Sequence, residues 1–325
     1  MSKSNGAPKA AFDMGEAIAV PWTLPGGKNF LFRIVAWGTA LMLCIYAIFG
    51  RSFITGYGEF LKTSLQMRGA SNQADPEEAL ALLTQMGNLF PSAMIIMILL
   101  GLVLTSLETA LHKNAFRGTD AGAFPFRFGA DELRVLLAKI VVWIAVGGVY
   151  FLGVFALVFI LAIFGKVLGG ASVIMVLLTL ILIVSYLALL LRCAMGWAPA
   201  AAMSVRDERI RLFEGWQAVK GRAWPVFWTY LIVYLIGYFS SYLFMAIGLY
   251  IAFGSIDFIT VLSEDPNNLD AVFAQMGEAI KQPKTYIPLV IFTIFYAAIL
   301  LMWYLHIYGV AHYVARLDAR DKGLT

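Results

Sequence analysis

Val135–Arg192 reads VLLAKIVVWIAVGGVYFLGVFALVFILAIFGKVLGGASVIMVLLTLILIVSYLALLLR. Two apolar runs, about 135–165 and 168–191, meet at the small-residue stretch GKVLGGAS, Gly165–Ser172. A helix needs about 20 apolar residues to cross the hydrocarbon core of a bilayer. The stretch therefore predicts a tight helical hairpin through a membrane. Its first arm is longer than a bilayer requires, which predicts tilt or protrusion.

Working outward, four more apolar runs lie at about 30–50, 91–111, 225–254 and 286–313. The chain of 325 residues is 61% hydrophobic and only 14% charged, whereas a soluble domain carries about 25% charged residues. The reading is an all-α polytopic membrane protein with six transmembrane helices. Pro91 and Pro225 are read as opening the second and fifth spans, where the first-turn N–H has no helical partner to lose. The expected organisation is a flexible tail over 1–28, a six-helix membrane domain over 29–313 and a second tail over 314–325. The first 28 residues hold no apolar signal core, so the first span is expected to be an uncleaved anchor.

Charge sets the orientation. With the N-terminus in the cytoplasm, eighteen of the 24 Lys and Arg residues fall on inner segments. Only Arg51, Lys62, Arg68, Lys166, Lys281 and Lys284 fall outside. This positive-inside bias places both termini in the cytoplasm. The net charge of +4 is then explained by attraction to anionic headgroups and requires no nucleic-acid partner. Cys44 and Cys193 lie on separate apolar segments and form no disulfide framework.

Two outer stretches share a frame. Asp75–Gly87 is DPEEALALLTQMG and Asp265–Gly277 is DPNNLDAVFAQMG. Asp75 and Asp265 suit an N-cap, and Pro76 and Pro266 the first helical position. Apolar residues recur at Ala79, Leu82, Leu83, Met86 and Phe90, and at the same offsets in Leu269, Val272, Phe273, Met276 and Ile280. Each set predicts one stripe of an outer amphipathic helix. His112–Ala115 (HKNA) and His312–Ala315 (HYVA) close the two returning spans. Spans 1–2 and 5–6 are thus read as related hairpins flanking the central one, an arrangement that fits transport or simple duplication equally.

The inner connector Arg192–Trp228 mixes Trp with basic residues. Ser204 is read as a helix cap with Asp207 as its capping-box acid. Arg206, Arg209, Arg211, Trp216, Lys220 and Arg222 suit the headgroup zone, as an interfacial anchor or as a surface that docks anionic lipid or a protein. Asp131 is read as capping the entry to span 3. Arg192, Pro199, Trp216, Gly221 and Trp224 together resemble a pattern in bacterial polytopic membrane proteins. That group includes the membrane domain attached to some glycerophosphoryl diester phosphodiesterases. The resemblance covers one connector and its flanking helix ends. It implies a membrane module of a bacterial cytoplasmic (inner) membrane and no catalysis, because the hydrophilic stretches are too short for a phosphodiesterase barrel.

Ionisable groups inside spans are costly and are default functional candidates. Glu108, Arg192 and His306 are the three candidates, with a Glu108–Arg192 ion pair expected to offset burial. Structural pairing, snorkelling and a substrate- or proton-binding cluster all remain open for them. Glu108 and His112 stand one helical turn apart, a spacing two metal ligands can use, but three histidines and no cysteine cluster give no basis for a metal site. No G-x-S-x-G, H-E-x-x-H or phosphate-binding glycine loop occurs, and no cofactor is implied. Gly147, Gly148, Gly153, Gly169 and Gly170 are expected to allow close helix packing. The function expected is a non-enzymatic, lipid- or protein-associating membrane module. The alternative is a small transporter or lipid-handling permease with a polar site toward the cytoplasm.

Overall fold

A computed structural model of the chain describes residues 10–69, 76–119, 124, 126–168, 173–253 and 282–324. Its helices are α1 Met14–Ala19, α2 Gly27–Gly69, α3 Pro76–Arg117, α4 Ala130–Leu168, α5 Val173–Trp197, α6 Ala200–Arg206, α7 Glu214–Val219, α8 Ala223–Phe253 and α9 Pro283–Asp321. A 3₁₀ turn, Val20–Trp22, follows α1. No strand occurs among the described residues. Among the described residues six helices are long and apolar enough to cross a membrane, on α2, α3, α4, α5, α8 and α9. The expected all-α, six-span architecture of an integral membrane protein is the one observed.

The helices run well past the apolar runs that announce them. At 1.5 Å per residue α2 and α3 are each about 60 Å long, about twice the hydrocarbon thickness of a bilayer. The first outer copy is consequently no separate helix. It begins at Pro76, as the Asp-Pro frame indicates, but continues through Pro91 into α3. Proline inside the helix removes one hydrogen bond, to the Gly87 carbonyl, and the helix tolerates that loss. The stripe is also not the packed face, since Leu83, Met86 and Phe90 are all exposed. Leu89 points inward instead, against Gly56, where a Cβ would lie 2.9 Å from it. The N-cap Asp75, the second copy at Asp265–Gly277 and the glycines 169 and 170 lie outside the described residues.

The chain divides into two units. One comprises Phe32–Leu104 and Leu235–Tyr304. Here glycines admit large rings between helices: Gly237 of α8 lies under Trp303 of α9, and Gly248 under Phe292. Phe244 stacks on Phe292 at 4.8 Å. Small-against-large packing of this kind lets helices approach closely in lipid, where burial from water supplies no driving force.

The other unit comprises Met1–Leu31, Thr105–Tyr234 and Leu305–Thr325. In it Gly153 of α4 seats the Tyr186 ring of α5, and Tyr186 Oη donates to the Tyr150 carbonyl at 2.7 Å. Gly147 and Gly148 have nothing within reach of an added Cβ and do not serve as packing sites. Most of the α4 and α5 surface is exposed apolar side chain, as suits helices solvated by lipid.

The described residues of both terminal segments, 10–28 and 314–324, pack into this unit instead of trailing as tails. Asp13 caps α1 by accepting the Glu16 N–H at 2.9 Å. Ala17, Val20, Pro21 and Leu24 are buried. Gly309 of α9 leaves room for Pro21, 2.9 Å from where a Cβ would stand. Tyr313 Oη donates to Glu16 at 3.0 Å, and the Ala10 N–H donates to Asp321 at 3.1 Å. At the other end α9 continues to Asp321, with Tyr313, Val314, Ala315, Leu317 and Ala319 buried. Residues 10–26 wrap α9 because their small and proline-rich stretch carries enough apolar side chains to bury.

Candidate functional site

Charged residues of the termini-bearing unit fall into three settings. The first is the corner between α5 and α7. The Trp216 ring lies on Gly196, where a Cβ would come within 2.5 Å of it, and Pro199 Cγ sits 2.9 Å from where a Cβ on Gly215 would stand. The Arg192 guanidinium lies 6.0 Å from the Trp216 ring centroid, within cation–π range. Trp197 meets the same ring edge-on at 5.8 Å. Gly221 takes a left-handed φ of +84°, which glycine adopts without steric cost, in the turn before α8. Arg192, Pro199 and Trp216 therefore join one interlocked corner, and Gly221 shapes its exit. Trp224 is exposed.

The second setting is an ion-pair lattice. Arg206 donates to the Ala315 carbonyl at 2.6 Å and pairs with Asp207 at 2.6 Å and Asp318 at 3.3 Å. Arg211 bridges Asp207 at 3.0 Å and Glu214 at 2.5 Å. Arg222, buried, pairs with Asp321 at 2.5 Å and donates to the Ala10 carbonyl at 3.1 Å. Asp131 receives Arg117 at 2.8 Å and Arg134 at 2.6 Å, and Lys113 pairs with Glu132 at 2.8 Å. Asp131 thus lies in the first turn of α4, where its acid also suits the helix dipole.

Ser204 is not a helix cap. It lies inside α6, donates to the Ala200 carbonyl at 2.7 Å and accepts the Arg211 N–H at 2.9 Å, tying the following loop back onto the helix. Asp207 stands at the C-terminal end of α6 instead. Burial raises the Asp207 carboxyl, but Arg206 and Arg211 outweigh it and hold the group below the ordinary aspartate range. Burial likewise raises Glu214, and Arg211 overrides it downward. Of the six residues expected on a docking surface, Arg206, Arg211 and Arg222 are committed to internal acids and Trp216 to the corner. Arg209 and Lys220 are exposed.

The third setting is buried within the spans. Glu108 is 3% exposed and His112, one turn on along α3, is 0% exposed. The carboxylate does not reach Arg192, which is spent on Trp216. Its Oε2 is ion-paired with Lys139 Nζ of α4, and its Oε1 lies 3.6 Å from His112 Nε2, too far for a well-formed hydrogen bond. Lys139 also donates to Tyr308 Oη of α9 at 3.5 Å and lies over that ring. The His112 and His312 rings stack at 5.9 Å, and Phe116 packs on His312 at 4.2 Å. Neither ring nitrogen of His112, nor His312 Nδ1, nor the hydroxyl of the buried Tyr230 has a hydrogen-bond partner. His306 stands apart, its Nδ1 bonded to the Ile18 carbonyl at 2.9 Å.

The cluster thus keeps Glu108 of the three candidates and exchanges Arg192 and His306 for Lys139, His112, His312 and Tyr308. A lysine inside the predicted span 135–165 was the signal for Lys139, and the paired HKNA and HYVA segments were the signal for the histidines. Among the described residues no group of three His, Cys, Asp or Glu side chains is arranged to hold a metal. A buried carboxylate and two buried imidazoles beside a part-exposed ammonium can hold and exchange protons. The chain matches no protein-family model, no curated protein and no solved structure.

Proposed function

We propose that the protein is a non-enzymatic membrane module of a bacterial cytoplasmic membrane, with both termini on the cytoplasmic side, that associates with anionic lipid. The observation that carries this reading is the sorting of the connector between α6 and α8. Its arginines 206, 211 and 222 are neutralised internally, whereas Arg209 is exposed among the exposed Ile210, Phe213 and Trp224 of the same connector, where Lys220 is exposed too. Aromatic rings with nearby cations suit the headgroup level of a bilayer. The resemblance around Arg192, Pro199, Trp216, Gly221 and Trp224 agrees with a membrane module of this kind.

Each basic residue near an anionic surface contributes about 1 kcal/mol. The double variant Arg209→Ala/Lys220→Ala is expected to reduce retention of phosphatidylglycerol roughly thirtyfold, read by native mass spectrometry from mixed-lipid nanodiscs. Undiminished retention would refute the assignment.

A second reading, a small transporter or lipid-handling permease, is favoured by the buried cluster of Glu108, Lys139, His112 and His312. Buried ionisable groups facing one another inside a helical bundle mark ion and proton paths in membrane proteins.

A further inference from the structure

Glu108 offers one negative charge to two bases. Lys139 holds one carboxylate oxygen and His112 Nε2 stands 3.6 Å from the other. Both His112 and Glu108 are more than nine-tenths buried, and His112 makes no hydrogen bond. A buried carboxylate is neutralised by one cation, and a second, uncompensated cation in the same low-dielectric site is costly. Lys139 differs from the rest of the cluster in its access, for its side chain is 24% exposed. It can leave the carboxylate by swinging outward along its flexible stem, where His112 cannot move.

The geometry points to a proton-exchange site: His112 takes up one proton against Glu108 as Lys139 gives up that carboxylate and turns outward, its ammonium snorkelling to the headgroup zone. The proton comes from water, binds His112 Nε2 and is balanced by Glu108. The ammonium that it displaces keeps its own proton and is rehydrated. No other bond changes, and the charge of the buried site stays neutral in both states.

The titratable and charged groups of the cluster around the imidazole come from four helices. Glu108 lies on its own helix, Lys139 on α4, Tyr230 on α8, and Tyr308, His312 and Arg316 on α9. His312 does not add a second proton, because its ring stacks on His112 and two imidazolium charges at 5.9 Å would repel. The inference does not rest on anionic-lipid association. Were the permease reading to hold, this site would supply its coupling proton.

With only three histidines in the chain, ring-nitrogen NMR of ¹⁵N-histidine protein in nanodiscs resolves each of them. His306→Gln and His312→Gln assign the signals, and lipid retention is measured separately, so the two proposals fail independently. Over a scan from about pH 8 to about pH 5, the expected result is uptake of one proton at His112. Lys139→Met removes the competitor and is expected to raise the imidazolium-to-imidazole ratio at fixed pH about tenfold. Glu108→Gln removes the counter-charge and is expected to lower it about tenfold. Lys139→Arg, which keeps the charge, is expected to stay near wild type. A His112 signal unmoved across the range in folded wild-type protein overturns the proposal whether or not any variant folds. So does a titration that Lys139→Met leaves in place.

Discussion

Arg206 and Glu108 are both low-exposure ionisable residues of the termini-bearing unit, and their surroundings differ in kind. Arg206 meets two carboxylates and a backbone carbonyl, from its own loop and from α9. Each of those acids has further cations, Arg211 for Asp207 and Lys322 for Asp318. Glu108 meets one cation directly, and both ring nitrogens of His112 and Nδ1 of His312 are left without hydrogen bonds. A charge whose every donor and acceptor is answered holds helices in register. A buried polar group left unanswered carries a desolvation cost, which an apolar side chain of like size would have avoided. That contrast separates a fully paired lattice from a buried cluster whose polar groups are only partly paired.

The contrast can be broken most forcefully at Arg206. Arg206→Ala leaves Asp318 and the Ala315 carbonyl with a lost partner in a buried place, and removal of one member of a buried pair costs about 3–5 kcal/mol. Thermal unfolding in detergent is the check, and a loss below about 1 kcal/mol would reclassify the lattice as surface charge. Next in size is the corner under Trp216. Gly196→Ala forces a Cβ to within 2.5 Å of the ring, and overpacking of this kind costs about 1–3 kcal/mol. The same melting curve reads it, with Gly147→Ala, which has open space, as the unaffected control.

Acid gives a smaller and graded effect. Asp207 and Glu214 are held below their ordinary values, so the stability they contribute is present above the unfolded values, about 4. It is lost as pH falls through the lower folded values. Melting temperature measured against pH is expected to drop below about pH 4, and Asp207→Asn is expected to flatten that drop. Smallest of all is Arg209→Ala, an exposed change expected to shift stability by no more than about 0.5 kcal/mol while lowering lipid retention.

The six spans were legible because about 20 consecutive apolar residues leave a helix no other stable environment. Their ends were not, since α3 and α9 continue through polar residues that lie against neighbouring helices or beyond the apolar core. Pro91 reads as a start and is an interior residue. Asp13 and Glu16 stood at capping-box spacing, the one local sign that residues 10–26 fold rather than trail. In the site, Glu108 was identifiable as a charge inside a span. Its partner was not, because hydropathy fixes no rotation of one helix against the next, and Arg192 and Lys139 were equally eligible cations. The Arg192–Trp216 contact was not legible from residue types, because it depends on the Trp216 ring being seated on Gly196.

The most direct measurement compares the melting temperatures of two charge-removing double variants in the same nanodiscs, Glu108→Gln/Lys139→Met and Arg206→Met/Asp318→Asn. Replacing an isolated buried pair by neutral residues of similar volume is often neutral or stabilising. The first variant is therefore expected to melt at or above the wild-type temperature while losing proton uptake at His112. The second is expected to melt well below it, because the Ala315 carbonyl loses its donor and Asp207 one of its two arginines as well. A destabilised first variant with a stable second one would contradict the division between structural lattice and chemical cluster.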